Sequence, residues 1–194
     1  MKNILRSYQD SLRYLQNFLE DEKNLAKTKS VAAKLADTLL AGGKAISCGN
    51  GGSMCDAMHF AEEFTGRFCN DRPALPAIAL SDPSYLTCVG NDYGFEQIFS
   101  RGVAAYGQKG DFLVAISTSG NSANVLAAVQ EAKKRGMYCV GFLGKDGGKL
   151  LKECHEYFLI PAATSDRVQE VHMVILHIII QEVERILYPQ NYAE

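Results

Sequence analysis

The chain has 194 residues, of which 47% are hydrophobic and 22% are charged. This balance excludes intrinsic disorder, because enough apolar material is present to build the core of one α/β domain. The formal net charge of −2 provides no basic surface field and argues against nucleic acid as the principal partner.

Cysteine spacing and the length of the apolar stretches bear on location and on membranes. The six cysteines form no C-x-x-C pair and no zinc-finger spacing, so we interpret them as reduced thiols of a cytoplasmic protein. The N-terminal residues lack the apolar segment of a signal peptide, and the most apolar stretch, 173–180, is too short to span a bilayer. We therefore expect a soluble protein with no membrane partner.

Two helices are predicted before the first strand. Apolar residues recur at helical spacing over 3–22, and a second helix is predicted over 29–41, where a pair of glycines ends it. Neither helix carries obvious chemistry, so we expect residues 1–42 to pack on the sheet or on another subunit. Residues 1–194 are expected to form a single domain.

A glycine-rich loop follows the first predicted strand. Residues 45–48 form a short apolar run, and the loop from Gly49 to Ser53 leads directly into a helix. Glycine permits a ligand to approach the backbone, Ser53 is a favourable N-cap, and a helix N-terminus presents free N–H groups and a positive dipole end. This order indicates an anion site, although a simple tight turn explains it equally well.

Histidines on two predicted helices are candidate metal ligands. His59 and Glu63 are four residues apart and project from one helix face, which suits metal binding or acid–base chemistry and equally a partly exposed side-chain pair. In the last predicted helix, 165–187, His172 and His177 lie among valines and isoleucines. A histidine in such surroundings is costly unless it is hydrogen-bonded or metal-bound. A hydrogen-bonded core histidine is the more ordinary explanation for either one.

The rest of the chain alternates strands with helices. Further strands are predicted near 76–80 and over 111–117, 137–144 and 156–160. Further helices are predicted from Pro83 to about 90–92, over 95–106 and over 123–135. This alternation predicts a parallel, doubly wound sheet between two layers of helices, that is, a three-layer α/β fold.

Hydroxyl side chains crowd the turn after the third predicted strand. This turn contains Ser117, Thr118, Ser119 and Ser122, and it opens directly onto a helix. Hydroxyl donors in such a turn can replace the water around a phosphate, although they are also common helix caps. Two such turns at the carboxyl ends of strands in one sheet are typical of a ligand site.

Several long segments of the chain resemble one enzyme family. The phosphoheptose isomerases contain, in the same order, close counterparts of CGNGGSMCDAMHFAEEFTGR, VGNDYGFEQIFSR, GDFLVAISTSGNSANV, GKDGG and DRVQEVHMVILHIIIQ. The resemblance implies the sugar isomerase (SIS) fold, which is a flavodoxin-like α/β sandwich, and a homotetramer with sites at subunit interfaces. It also implies conversion of sedoheptulose 7-phosphate to D-glycero-D-manno-heptose 7-phosphate through an enediol(ate), the first step of ADP-heptose biosynthesis for lipopolysaccharide or capsule.

The same resemblance implies a set of functional residues. It implies a zinc ion held by His59, Glu63, Gln169 and His177, with Glu63 and His177 transferring the proton. The residues implied to contact a phosphorylated seven-carbon sugar are Asn50, Gly51, Gly52, Ser53, His59, Glu63, Arg67, Asn91, Asp92, Ser117, Thr118, Ser119, Ser122, Asp166 and Gln169. Gln169 and His177 are eight residues apart, which is about 12 Å along a helix. One ion reaches both only if the side chains lean together or come from different subunits, and we expect a site shared at an interface.

Other proteins with the same fold are the alternatives. One is a non-catalytic SIS paralogue that binds a replication-initiator protein, which is expected to lack the counterparts of Glu63 and His177. An arabinose 5-phosphate isomerase and a sugar-phosphate sensor are further alternatives, and the sensor would need no Glu63. Because both residues are present, the resemblance favours the heptose phosphate enzyme.

Overall fold

Five parallel strands form one sheet in the computed structural model, which describes residues 1–193. The strands are β1 (Ala45–Gly49), β2 (Ala77–Ala79), β3 (Phe112–Ser117), β4 (Tyr138–Gly144) and β5 (Glu156–Ile160). They lie side by side in the order β2-β1-β3-β4-β5. This is the flavodoxin-like order of doubly wound sheets, in which the winding reverses between β1 and β3. The predicted parallel, doubly wound α/β fold is confirmed.

Within residues 1–193, seven α-helices accompany the sheet. They are α1 (Lys2–Glu20), α2 (Glu22–Leu40), α3 (Gly52–Thr65), α4 (Pro83–Tyr93), α5 (Ser100–Tyr106), α6 (Ala123–Lys134) and α7 (Ser165–Leu187). Short 3-10 helices span Phe95–Gln97, Lys149–Lys152 and Pro189–Tyr192. None of the helices in this range has the length and apolar character required to cross a membrane.

The sheet separates the buried side chains into two apolar layers. On one face, residues of α2, α3 and α7 join Phe112 and Phe142 of the central strands. On the other face, residues of α5 and α6 join Leu113 and Cys139. Every residue of β1 and β3 is buried, which explains why these strands read as continuous apolar runs rather than as alternating ones.

Two helices begin at positions that differ from the predicted ones. α2 starts seven residues before the predicted start, because the Asp21 carboxylate accepts a hydrogen bond from the Lys23 N–H at 3.0 Å and caps the helix there. α3 starts at Gly52, and Gly51 is its N-cap with φ of +56°. Ser53 therefore lies in the first turn and is not the N-cap that the sequence predicted. Glycine reaches this positive φ without strain, so the helix begins two residues earlier than predicted.

The segment from α4 to α5 is also divided differently. α4 continues through the predicted stop at 90–92 and ends at Tyr93, followed by Gly94 as its C-cap with a φ of +89°. The predicted helix over 95–106 is a 3-10 turn followed by the separate helix α5. The positive φ at Gly94 supplies the break that the sequence pattern placed too early.

The first helix leaves most of its apolar stripe uncovered. Ile4, Leu5, Tyr8 and Leu12 are 59–69% exposed, and Phe18 is the one residue of α1 that is buried. α2, by contrast, buries seven residues against α7 and the sheet. Of the two N-terminal helices, α2 belongs to the core and α1 presents an apolar surface.

A buried histidine on α7 faces the sheet. His172 is fully buried, and its Nε2–H donates to the carbonyl oxygen of Leu143 at 3.1 Å. Its Nδ1 has no hydrogen-bond partner in the described residues 1–193. Burial lowers the pKa of the imidazole to about 4, and the bond to Leu143 opposes that shift only in part. The fold therefore accommodates the neutral form, as expected of a core histidine.

Acid should destabilise the protein through His172. The unfolded chain binds a proton at this imidazole below pH 6.5, whereas the folded protein binds it only near pH 4, so stability present above pH 6.5 is lost as the pH falls towards 4. Between pH 7 and pH 5, urea unfolding at fixed protein concentration should show the wild type losing about 2 kcal/mol more than His172→Gln. Equal losses in the two proteins would show that another group titrates.

Candidate functional site

Three side chains from α3 and α7 meet beside the sheet. Donor atoms of His59, Glu63 and His177 all lie within 4.8 Å of one another. His59 Nε2 lies 3.1 Å from Glu63 Oε1, and the rings of His59 and His177 meet edge to face with centroids 4.9 Å apart. His59 and Glu63 lie four residues apart on α3, so one helix face presents both to α7.

The surroundings of this group favour a neutral imidazole at His177. The ring of Phe68 stacks on His177 with centroids 5.7 Å apart. Burial lowers the pKa of His177, the neighbouring His59 lowers it further, and the Glu63 carboxylate acts in the opposite direction. The side chain of His59 is 42% exposed and that of Glu63 is 15% exposed, so the group opens to solvent on the His59 side.

The donor set of this group could hold a metal ion. Two imidazole nitrogens and one carboxylate oxygen are typical ligands of catalytic zinc, which leaves a further position for water or substrate. Ligands about 2.0–2.2 Å from one ion lie about 3.4 Å apart, so the observed spacing requires only small side-chain movements. A metal also requires neutral imidazoles, which the lowered pKa of His177 provides. In the described range 1–193, no other group of three His, Cys, Asp or Glu side chains has this spacing.

The loop after β1 contacts α7 closely. Ser53 is buried, and its Oγ accepts a hydrogen bond from Gln169 Nε2 at 3.3 Å. A Cβ atom added at Gly52 would lie 2.7 Å from the Gln169 amide, so any larger residue there would displace the Gln169 side chain. Within one protomer, the Gln169 side chain therefore lies at the start of α3, whereas His59 and Glu63 lie further along that helix.

The loop after β3 holds its hydroxyl groups in a connected set. Ser117 Oγ lies 2.9 Å from Ser122 Oγ, and Thr118 Oγ1 lies 3.0 Å from Ser165 Oγ at the start of α7. Ser119 Oγ accepts a hydrogen bond from the backbone N–H of Asn121 at 3.1 Å. The loop thus arranges several hydroxyls at the carboxyl end of β3, as the sequence pattern predicted.

A pair of amides joins the two loops. Asn50 and Asn124 exchange reciprocal side-chain hydrogen bonds of 2.9 and 2.8 Å. Asn50 belongs to the loop after β1, and Asn124 lies in the first turn of α6, where it is buried. Sequence reasoning missed Asn124, although an asparagine at the start of a predicted helix, next to a hydroxyl-rich loop, was the available signal. These two bonds join the loop after β1 to the start of α6.

Four candidate residues lie on the surface and bond mainly to their own neighbours. Arg67 is exposed just beyond α3, and the exposed Asn91 donates from Nδ2 to Asp92 Oδ1 at 2.8 Å on α4. Asp166 is exposed in the first turn of α7 and pairs with Arg167 at 3.0 Å. Hydrogen bonds from the Thr164 and Arg167 side chains lower the pKa of Asp166 to about 2. Within residues 1–193, none of the hydrogen bonds or ion pairs of these residues involves His59, Glu63 or His177.

A carboxylate one turn before His59 was missed by sequence reasoning. Asp56 lies on the same side of α3, and its Oδ2 is buried without a hydrogen-bond partner in residues 1–193. Burial raises the pKa of Asp56 to about 6, and the nearby His59 opposes that shift. The spacing from His59, three residues, was the available signal.

Comparison with known proteins identifies relatives of this chain. Residues 7–144 match the family described as the SIS domain. The chain is 60% identical over 192 residues to a phosphoheptose isomerase of Fusobacterium nucleatum subsp. nucleatum, covering 99% of each chain. The solved phosphoheptose isomerase of Neisseria gonorrhoeae is 39% identical with a TM-score of 0.86, covering 94% of this chain and 97% of that one. That of Francisella tularensis is 35% identical with a TM-score of 0.86, covering 95% of this chain and 97% of that one.

These similarities extend over nearly the full length of the relatives as well as of the chain, so they concern the whole fold and not one loop. They confirm the family resemblance seen in the sequence segments. The chain belongs to the SIS domain family and, within it, to the phosphoheptose isomerases.

Proposed function

We propose that the protein is an aldose–ketose isomerase that converts sedoheptulose 7-phosphate to D-glycero-D-manno-heptose 7-phosphate. The observation that carries the proposal is the meeting of His59, Glu63 and His177 in a chain of this family. The product is the sugar phosphate from which ADP-heptose for lipopolysaccharide or capsule is made. The free cysteines suit a reducing compartment, so we assign the reaction to the cytoplasm.

The reaction moves hydrogen between C1 and C2 of the sugar through an enediol(ate). It requires a base at the carbon, a group that moves a proton between the oxygens, and stabilisation of the developing negative charge. We assign the first role to Glu63, which takes the proton from C1 and delivers it to C2. His177 moves the compensating proton from O1 to O2, so that both residues return to their starting states.

The metal in this proposal is zinc, bound by His59, Glu63, Gln169 and His177. When bound, it acts as a Lewis acid that stabilises negative charge on the oxygens at C1 and C2. Gln169 precedes His177 by eight residues on α7, and its amide bonds Ser53 within one protomer. We therefore propose that the site is shared between protomers, with Gln169 reaching the ion from a neighbouring subunit.

A homotetramer accounts for the exposed apolar surface of α1. Its exposed residues Ile4, Leu5, Tyr8 and Leu12 recur at helical spacing, and a contiguous apolar stripe of this kind marks a protein interface. We propose that the stripe is buried between subunits, which agrees with a site assembled from more than one protomer.

The phosphate group of the sugar is assigned to the loops after β1 and β3. The N-caps of α3 and α6, Gly51 and Ser122, make no side-chain capping bond, whereas aspartates cap α2 and α4. The Ser53 and Met54 N–H groups donate to the carbonyl oxygens of Asn50 and Gly51, and the Val125 N–H donates to Asn124 Oδ1. The N–H groups left for an anion are therefore the ones that precede these at the very start of α3 and α6. The remaining residues proposed to contact substrate are Asn50, Gly52, Ser53, His59, Arg67, Asn91, Asp92, Ser117, Thr118, Ser119, Asp166 and Gln169.

Removing either proton-transfer group should abolish turnover. General acid–base groups contribute about 10²–10⁴-fold to rate, so we expect Glu63→Gln and His177→Ala to lower kcat by about 10³-fold. Zinc content should be measured on the same samples. A variant that is inactive but retains zinc has lost proton transfer, whereas a variant without zinc has lost the ion. The matched control is Glu131→Gln, since Glu131 is a carboxylate near the C-terminal end of α6 that pairs with Arg135 and Lys134.

The control should keep the wild-type kcat. Wild-type turnover in Glu63→Gln or His177→Ala would contradict the assignment of roles. An inactive wild type that binds zinc and captures a replication-initiator protein would support the non-catalytic alternative.

Removing the metal should remove activity reversibly. Dialysis against a strong chelator should lower isomerase activity at least about tenfold, and added Zn²⁺ should restore it, whereas Mg²⁺ should not because it prefers oxygen ligands. His59→Ala should bind less zinc than the wild type under the same conditions. Full activity in protein shown by elemental analysis to be metal-free would exclude the zinc role.

Removing one hydroxyl from the loop after β3 should weaken substrate binding more than it slows the reaction. A hydrogen bond to a charged group is worth about 1.5–3 kcal/mol, so Ser119→Ala should raise KM for the sugar phosphate about tenfold or more. Because the phosphate is remote from C1 and C2, kcat should change much less. Ser30→Ala, an exposed serine on α2, is the control. An unchanged KM in Ser119→Ala would place the phosphate elsewhere.

A further inference from the structure

A buried ion pair joins the segment after α3 to α7. Arg72 Nε donates to Glu184 Oε1 at 2.7 Å, and the two side chains are 0% and 1% exposed. The other oxygen of the same carboxylate, Oε2, accepts a hydrogen bond from the Tyr192 hydroxyl at 2.7 Å. Burial and the Glu184 carboxylate raise the pKa of Tyr192, so its hydroxyl keeps its proton and remains the donor.

The rest of the guanidinium caps the end of α3. Arg72 Nη1 donates to the carbonyl oxygen of Phe64 at 2.7 Å and to that of Gly66 at 3.2 Å, and Nη2 donates to the carbonyl oxygen of Glu63 at 2.5 Å. The last carbonyls of a helix lack partners within it, and a cation there also meets the negative end of the helix dipole. Arg72 thus binds the turn of α3 that carries Glu63.

The ion pair lies directly beyond the histidine group. Glu184 follows His177 by seven residues on α7, which is about two helical turns along nearly the same face. The Arg72 guanidinium therefore binds both helices that supply the candidate metal ligands. It binds α3 at its C-terminal end, in the turn that contains Glu63.

We propose that Arg72, held by Glu184 and Tyr192, is a positioning residue that keeps Glu63 of α3 in register with His177 of α7. The inference rests on the proposed function of those two residues. A buried ion pair adds little stability compared with a well-packed apolar pair, because removing both charges from water is costly. The directional fork of a guanidinium, however, fixes two backbones relative to each other in a way that an ammonium does not.

Two variants weaken the contact to different degrees. Arg72→Lys keeps the charge and loses the fork, and Tyr192→Phe removes only the hydroxyl that bonds Glu184 Oε2. Asp111→Asn is the matched control, because Asp111 is also buried and paired, with Lys44 Nζ at 2.6 Å. The Asp111–Lys44 pair lies at the amino end of β3, whereas the residues of the histidine group belong to α3 and α7.

The measurements are zinc affinity, amide hydrogen exchange of residues 59–66 before zinc is added, and isomerase kinetics. Residues that orient metal ligands typically contribute about 10–100-fold to metal affinity or activity. We expect Arg72→Lys to weaken zinc binding and to lower kcat by about 10–100-fold, with KM within about twofold of wild type. Exchange over 59–66 should accelerate. Tyr192→Phe should change each quantity in the same direction by a smaller factor.

Asp111→Asn should lose thermal stability without any of these changes. The inference would be overturned if Arg72→Lys and Tyr192→Phe both matched Asp111→Asn in zinc affinity and in exchange over 59–66. This holds even if the wild type is an active isomerase. A different outcome is that the wild type neither binds zinc nor isomerises the sugar while the variants still exchange faster over 59–66. This outcome would support the positioning of α3 by Arg72 and would refute the proposed function. If Arg72→Lys does not fold, Tyr192→Phe alone decides between these outcomes.

Discussion

The packing of α3 beside α7 is the interaction on which the site depends. Phe60 and Phe64 are buried in the core, and His59 and Glu63 each precede one of them, so the helix carries an apolar stripe next to a polar one. Burying a phenylalanine side chain contributes about 2–3 kcal/mol, far more than an exposed side-chain pair contributes. The apolar stripe therefore fixes α3 on the sheet, and the polar stripe is carried into contact with α7.

Close backbone packing makes the neighbouring loops rigid before any ligand arrives. A Cβ atom added at Gly120 would lie 2.0 Å from the carbonyl oxygen of Gly147, so the loops after β3 and β4 tolerate no side chain between them. The amide pair of Asn50 and Asn124 joins the loops after β1 and β3 in the same way. Groups held in place beforehand lose little entropy when a ligand binds.

Local sequence patterns predicted much of the fold and part of the candidate site. The predicted strands over 111–117, 137–144 and 156–160 agree with β3, β4 and β5 within a residue or so, because buried parallel strands are short apolar runs with glycines near their ends. The pattern did not separate His172 from His177. Five residues at about 100° each place them about 140° apart around α7, so one faces Leu143 of the sheet and the other faces α3.

The sequence by itself determined which residues share a helix face, where strands end in glycine or hydroxyl-rich loops, and to which family the chain is similar. These are properties of neighbouring residues, and periodicity and turn chemistry report them directly. Only the tertiary structure decided that His177 meets His59 and Glu63, that Asn50 pairs with Asn124, and that Arg72 binds Glu184 across 112 positions of the chain. Contacts at such separations depend on which helices the sheet order sets side by side, and no local pattern encodes that placement.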